Sequence, residues 1–138
     1  MTALGKFGAA GTGAKALSLC RDILLPNGAK ILAEVAVEPE ELIRGLMFRE
    51  QLGVNEGMLF VEPNAGFYPV WMKNTLIPLD VIWLTASGLI VEMAQGCAPC
   101  KCDDCPQYGG RYSSSYILEV PAGTVRRNQL HVGDRLSW

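Results

Sequence analysis

The chain has 138 residues, 49% of them hydrophobic and 19% charged, which fits one globular domain with apolar material enough for its own core. A net charge of −2, with 14 Asp and Glu against 12 Lys and Arg, offers no basic face to phosphates, so no nucleic-acid partner is expected. No apolar run reaches the length of about 18 residues that a membrane-spanning helix needs, so no membrane span is expected either.

The first fifteen residues, MTALGKFGAAGTGAK, are interrupted by Gly5, Gly8, Gly11 and Gly13. They break the continuous apolar stretch of about 7–15 residues on which a secretory signal depends. Residues 1–15 are therefore expected as a flexible tail and residues 16–138 as a single β-rich domain in a cytoplasmic protein. Alternation over Ala16–Leu25, the turn residues Pro26-Asn27-Gly28, and alternation over Ala29–Val37 predict a hairpin. Ile31, Ala33, Val35 and Val37 share one face of its second strand, with Lys30 and Glu34 on the other.

The period then changes. Pro39 suits a first helical position, Glu38, Glu40 and Glu41 suit the positive end of a helix dipole, and Leu42, Ile43, Leu46 and Met47 form an apolar stripe. One short helix over Pro39–Met47 is predicted, followed by short strands at Gly57–Val61, Val70–Asn74, Asp80–Thr85, Leu89–Met93 and Tyr116–Val120. Ser87-Gly88 joins the third and fourth of these as a hairpin, and Thr124–Gln129 has room for one helical turn. The sum is a mainly β fold, a compact antiparallel sandwich or distorted barrel with one short helix. Ile31, Val35, Ile82, Leu84, Leu118 and Val120 are expected to share one core.

Cys97, Cys100, Cys102 and Cys105 make a C-x2-C-x-C-x2-C loop. Two such pairs can complete a Zn(Cys)4 site, and the same soft ligands suit Cu(I), although nine residues would have to wrap the ion alone. The competing reading is a disulfide, for which Cys97–Cys105 closes the least strained loop and Cys100–Cys102 is geometrically poor, and a third reading leaves four reduced thiols with no role. Cys20, alone among apolar residues, reads as a small buried hydrophobe.

A second candidate site is polar. Lys73, Asn74, Thr75 and Asp80 interrupt an apolar stretch, Trp71 lays a flat ring beside them, and Arg49 can offer a planar fork to an anionic group. The plainer alternative has Lys73 or Arg49 paired with Asp80 and Asn74-Thr75 serving as a turn. Glu119 reads as an outward strand carboxylate. His131, the single histidine, reads as an exposed loop residue beside Val132-Gly133-Asp134. The methionines fall on expected core faces. No P-loop, G-x-S-x-G or H-E-x-x-H motif is present.

Four segments carry a family resemblance: VWMKNTLIPLD (Val70–Asp80), GLMFRE (Gly45–Glu50), GMLFVE (Gly57–Glu62) and ILEVPAGTVRRNQLHVGDRL (Ile117–Leu136). From about Ile31 to the C-terminus the chain resembles the bacterial and archaeal domain of unknown function 192 family. The resemblance implies one domain and brings no activity with it. The family pattern does not require the cysteines of residues 97–105, which would add something to the common fold. Its members are often exported, so a removed signal peptide is the alternative to a cytoplasmic location. The functional expectation is a small non-catalytic binding or interaction module, for a small ligand or a protein. The alternatives are a thiol-dependent protein that handles metal or redox equivalents through Cys97–Cys105, and an enzyme acting through Lys73, Asp80 or His131.

Overall fold

The computed structural model describes residues 19–138. The expected tail, and residues 16–18 of the first expected strand, lie outside that range. Strands β1 (Cys20–Leu24) and β2 (Lys30–Ala36) pair antiparallel, with Ile23 opposite Ile31. Their turn is built as its residues dictate: Asn27 Oδ1 accepts from Ala29 N at 2.9 Å, and Gly28 takes φ 91°, where a Cβ would be strained.

Helix α1 (Pro39–Arg44) follows. Glu41 turns its carboxylate back to the start of the helix, accepting from Val37 N and Glu38 N at 3.0 Å each. The helix is shorter than its apolar stripe suggested, because Gly45 turns the chain at φ 45°. None of its six residues is buried, and Ile43 is exposed, while Leu46, just past the end, is fully buried. The helix carries the chain across, so that β3 (Glu56–Gly66) returns parallel to β2, with Ala33 beside Gly57. This parallel pair departs from the otherwise antiparallel arrangement.

Next come the two-residue β4 (Val70–Trp71), then β5 (Leu79–Leu84) and β6 (Ile90–Cys97), joined through the Ser87-Gly88 turn as expected. The two-residue β7 (Gln107–Tyr108) pairs only with β4; β8 (Ser114–Pro121) leads into the one-turn helix α2 (Thr124–Arg127). The mainly β expectation is met by a six-stranded sheet in the order β1-β2-β3-β8-β5-β6 with a small β4-β7 sheet. Among the described residues the large sheet does not close into a barrel. Instead the C-terminal segment links its far ends, Ser137 bridging Leu24 and Arg135 bridging Leu89.

Each face of this sheet has its own core. On one, Ile31, Ile82, Leu84, Leu118 and Val120 pack with Ile23, Val125, Leu130 and Leu136. Of the six residues expected to meet, only Val35 falls short of full burial. On the other, Met58, Phe60, Val81, Trp83, Cys97 and Ile117 lie under Leu46, Val70 and Met72. That second face is roofed by loops and the small sheet, with the Trp83 indole N–H donating to the Tyr68 carbonyl at 2.8 Å.

Strand β8 lies between β3 and β5 and is buried from Ile117 through Val120 on both faces. Its approach to β3 is close at Gly57, where an added Cβ would stand 2.5 Å from the Glu119 carbonyl oxygen and 3.0 Å from Val120 Cγ1. The Glu119 carbonyl is backbone and cannot yield without parting the strands. Gly57→Ala is therefore expected to destabilise the domain by about 1–3 kcal/mol, the range for overpacking a tight interior. Urea unfolding should show a lower midpoint at an unchanged slope.

Candidate functional site

Alternation along β5 puts Leu79, Val81 and Trp83 on the roofed face and directs Asp80 the other way. There its carboxylate, 1% exposed, accepts three backbone N–H groups: Gly96 at 2.9 Å, Gly123 at 3.0 Å and Val125 at 2.9 Å. Gly123 and Val125 open α2, so a strand carboxylate supplies the cap that the helix lacks from its own sequence. Asp80 is thus paired with neither Lys73 nor Arg49. In β5, flanked by β6 and β8, it meets backbone donors before any side chain can reach it.

Lys73 Nζ is instead hydrogen-bonded to the fully exposed Asp103, and that contact, with the lysine's charge, holds the Asp103 carboxyl below its ordinary range. Arg49 makes a two-pronged bond to Glu34, Nη1 to Oε2 at 2.6 Å and Nη2 to Oε1 at 2.9 Å. Asn74 acts through its backbone at φ 57°: its N–H donates to the Cys100 carbonyl and its carbonyl accepts from Phe48 N, both at 2.8 Å. Trp71, in β4, stands opposite Gln107 of β7 and is half-buried. Arg49, Trp71, Lys73 and Asn74 therefore all belong to the roof over the second face, whereas Asp80 serves the opposite one.

Beneath this roof lies a group read from the sequence as outward. Glu119 occurs in the central strand between Met58 of β3 and Val81 of β5, on the same face as Ile117. It is fully buried, and among the described residues neither carboxylate oxygen has a hydrogen-bond partner. Burial raises its pKa from the ordinary 4.5 to about 8, so the group is a neutral acid at pH 7. Cys97 ends β6 with its thiol buried in the same core; desolvation, then the Glu119 and Asp80 charges, push its pKa up to about 11. Glu34, one strand beyond Met58 in the same register, brings the Arg49 pair onto this face. The row Glu34, Met58, Glu119, Val81 thus runs polar, apolar, polar, apolar across four strands.

The cysteine loop closes over the same region. Cys100 is joined to Cys105 by a disulfide, while Cys97 is buried and Cys102 exposed as free thiols. This corrects the expected Cys97–Cys105 pairing, since Cys97 belongs to a strand and faces the core. It also leaves the Zn(Cys)4 arrangement unformed: two of its sulfurs are bonded to each other, and no group of three or more His, Cys, Asp or Glu among the described residues is placed to hold an ion. Cys20 is exposed rather than buried, lying at the start of the edge strand β1. His131 is exposed, its Nδ1 3.9 Å from Asp134 Oδ2. Lys73, Asp80 and His131, the residues of the enzymatic alternative, make their contacts in three different places.

The family model described as Uncharacterized ACR, DUF192, matches residues 23–138. The chain belongs to this family. Two relatives are named UPF0127 proteins: one from Thermococcus kodakarensis is 31% identical over 100 residues, covering 69% of this chain and 57% of its own length. The other, from Thermococcus gammatolerans, is 30% identical over 100 residues, covering 69% and 58%. The chain thus spans somewhat more than half of these relatives. A crystal structure from Sinorhizobium meliloti, described as a candidate transcription regulator, superposes with a TM-score of 0.78 at 31% identity, covering 87% of this chain and 94% of that one. A protein of unknown function from Novosphingobium aromaticivorans gives 0.78 at 28% identity, covering 88% and 85%. No helix among the described residues is long and apolar enough to cross a membrane.

Sequence reasoning missed Glu119 and Glu34 by treating each strand as having a wet face. The signal was available for Glu119: its neighbours Ile117, Leu118 and Val120 are apolar on both alternations, the mark of a strand covered on both sides.

Two outcomes follow for this DUF192 domain. Asp80→Ala strands three backbone donors and should cost about 3 kcal/mol or more, which lowers the melting temperature by roughly 10 °C; Lys73→Ala breaks a pair whose acidic partner is fully exposed and should shift it far less, by a few degrees at most. For Glu119, the folded chain keeps a proton that the unfolded chain releases between pH 4.5 and about 8. Stability from this group is complete below that window and is lost as pH rises through it. Melting temperatures measured from pH 5 to 8.5 should fall for the wild type more steeply than for Glu119→Gln.

Proposed function

We propose that the chain is a small non-catalytic binding module whose ligand hydrogen-bonds to Glu119 beneath the roof. The observation that carries this reading is the partnerless, fully buried Glu119 carboxyl. An unmet buried polar group costs about 1–3 kcal/mol, and such groups are uncommon in folded domains unless something visits them. As a neutral acid it can both donate and accept, and Met58, Phe60, Val81 and Met72 give it apolar walls. Apolar walls around few polar groups are the usual make-up of a small-molecule site. The ligand that fits is small, uncharged and mostly apolar, with one amide, carbonyl or hydroxyl group. Arg49 and Glu34 would edge the entrance.

The roof is the part that must give way for entry. It is held by local backbone bonds such as Phe48–Asn74 and Asn74–Cys100, not by the long ladders of the sheet. A regulatory role acting on DNA is less well supported, because the net charge is −2.

The test is an NMR screen of neutral carboxamide and alcohol fragments against protein carrying 13C-labelled methionine methyls and glutamate carboxyls. Fragments that bind at pH 6 should move the Met58 methyl and Glu119 carboxyl signals together, and Glu119→Leu, which keeps the volume apolar, should abolish their binding. Hits that leave both signals unmoved, or that bind Glu119→Leu as well, would defeat the reading.

A further inference from the structure

The cysteine loop holds a disulfide beside a free thiol, and the binding role uses neither. Its disulfide ties Cys100 to Cys105, and the free thiol of Cys102 is exposed within the short loop that this bond closes. The chain folds back on itself here, bringing the Cys102 carbonyl oxygen 3.0 Å from Cys105 Sγ. Cys102 and Cys105 stand in C-x-x-C spacing, with the turn-forming Asp103-Asp104 between them. Cys97 has the same spacing to Cys100, but its buried thiol, with a pKa of about 11, stays protonated and takes no part.

We propose that this loop is a thiol–disulfide exchange site, in which Cys102 is the nucleophile and Cys105 the sulfur shared by two alternative disulfides. In the step, Cys102 loses its proton to water and its thiolate attacks Cys105 Sγ. A Cys102–Cys105 bond forms as the Cys100–Cys105 bond breaks, and the electron pair leaves on Cys100 as thiolate, which then takes up a proton. One disulfide and one thiol are present before and after, so no oxidant or reductant is consumed. The exchange moves the free thiol from the exposed position 102 to Cys100. Cys100 is also the residue whose carbonyl accepts from Asn74 N at 2.8 Å and whose backbone bridges Lys73 and Thr75. The partners this site suits are small or protein-borne thiols and disulfides, met first through Cys102.

The experiment uses the full-length oxidised chain incubated at pH 6 and pH 8 without added thiol. Samples are trapped in acid, alkylated in denaturant at mildly acidic pH, digested and mapped by mass spectrometry. Exchange predicts a Cys102–Cys105 peptide together with alkylated Cys100, appearing faster at pH 8 and at a rate unchanged by tenfold dilution. Cys102→Ser should reduce Cys100 alkylation to background, while Cys20→Ser should leave it intact. Finding only Cys100–Cys105 in the wild type at pH 8 would overturn the proposal. So would Cys100 alkylation that persists in Cys102→Ser, a rate that falls with dilution, or the recovery of four unpaired thiols in the loop.

Discussion

Asp80 is the point at which the two halves of the architecture are tied. Leu79, its neighbour, pairs with Cys97 on one side and Pro121 on the other, so Asp80 stands where β6 ends and where β8 passes into α2. One carboxylate oxygen takes Gly96 and the other takes Gly123 and Val125. Three charge-assisted bonds in a nearly dry site fix the positions of residues one step from Cys97 and four steps from Glu119. The roofed face is therefore shaped from behind, by a residue that never touches it.

Charge is distributed over the molecule according to what burial permits. The Lys73–Asp103 pair is exposed at its acidic end and adds little to stability. Arg49 and Glu34, both half-buried and joined at two points, hold a fixed geometry where the roof meets the sheet. Glu92, 4% exposed, is answered by Arg111 through both backbone N–H at 3.0 Å and Nε at 2.8 Å, which fastens β6 to the approach of β8. Glu119 alone among these acids meets no donor in the described residues, and it escapes the cost of a buried charge by keeping its proton.

The strands could be read from the chain where apolar residues recur at period two. Ile31, Ile82, Leu84, Leu118 and Val120 fall on one face by that period and meet in one core, although only β2 among their strands keeps a wet face. The turns at Asn27-Gly28 and Ser87-Gly88 were equally plain, because few residues accept such backbone angles. Pairing direction was hidden: whether β3 returns parallel or antiparallel to β2 depends on how α1 and its following loop cross the sheet, which leaves no periodic trace. The polar candidates were identified as polar but misassigned in partner. Lys73 and Arg49 meet their acidic partners, and Asp80 its backbone donors, only after folding, because Asp103, Glu34, Gly96 and the start of α2 lie 15 to 45 residues away in sequence. The Cys100–Cys105 pairing was inaccessible for a related reason, since the burial of Cys97 is a property of β6 and not of the cysteine spacing.

The place of β8 in the sheet has a consequence for the growing polypeptide. Strands β1-β2-β3 form one ladder and β5-β6 another, and among the described residues only β8 bonds to both. While the ribosome has yet to release residues 114–121, the two ladders share no strand, and β3 and β5 each present an open edge of the kind that invites pairing with another chain. The nascent protein thus carries its aggregation hazard until β8 has emerged, and that strand acts as the keystone that removes both edges in one event. Large sequence separations between β8 and its partners make that event slow by topology. A chain shortened before β8 would be left with two sticky ladders, not a smaller domain.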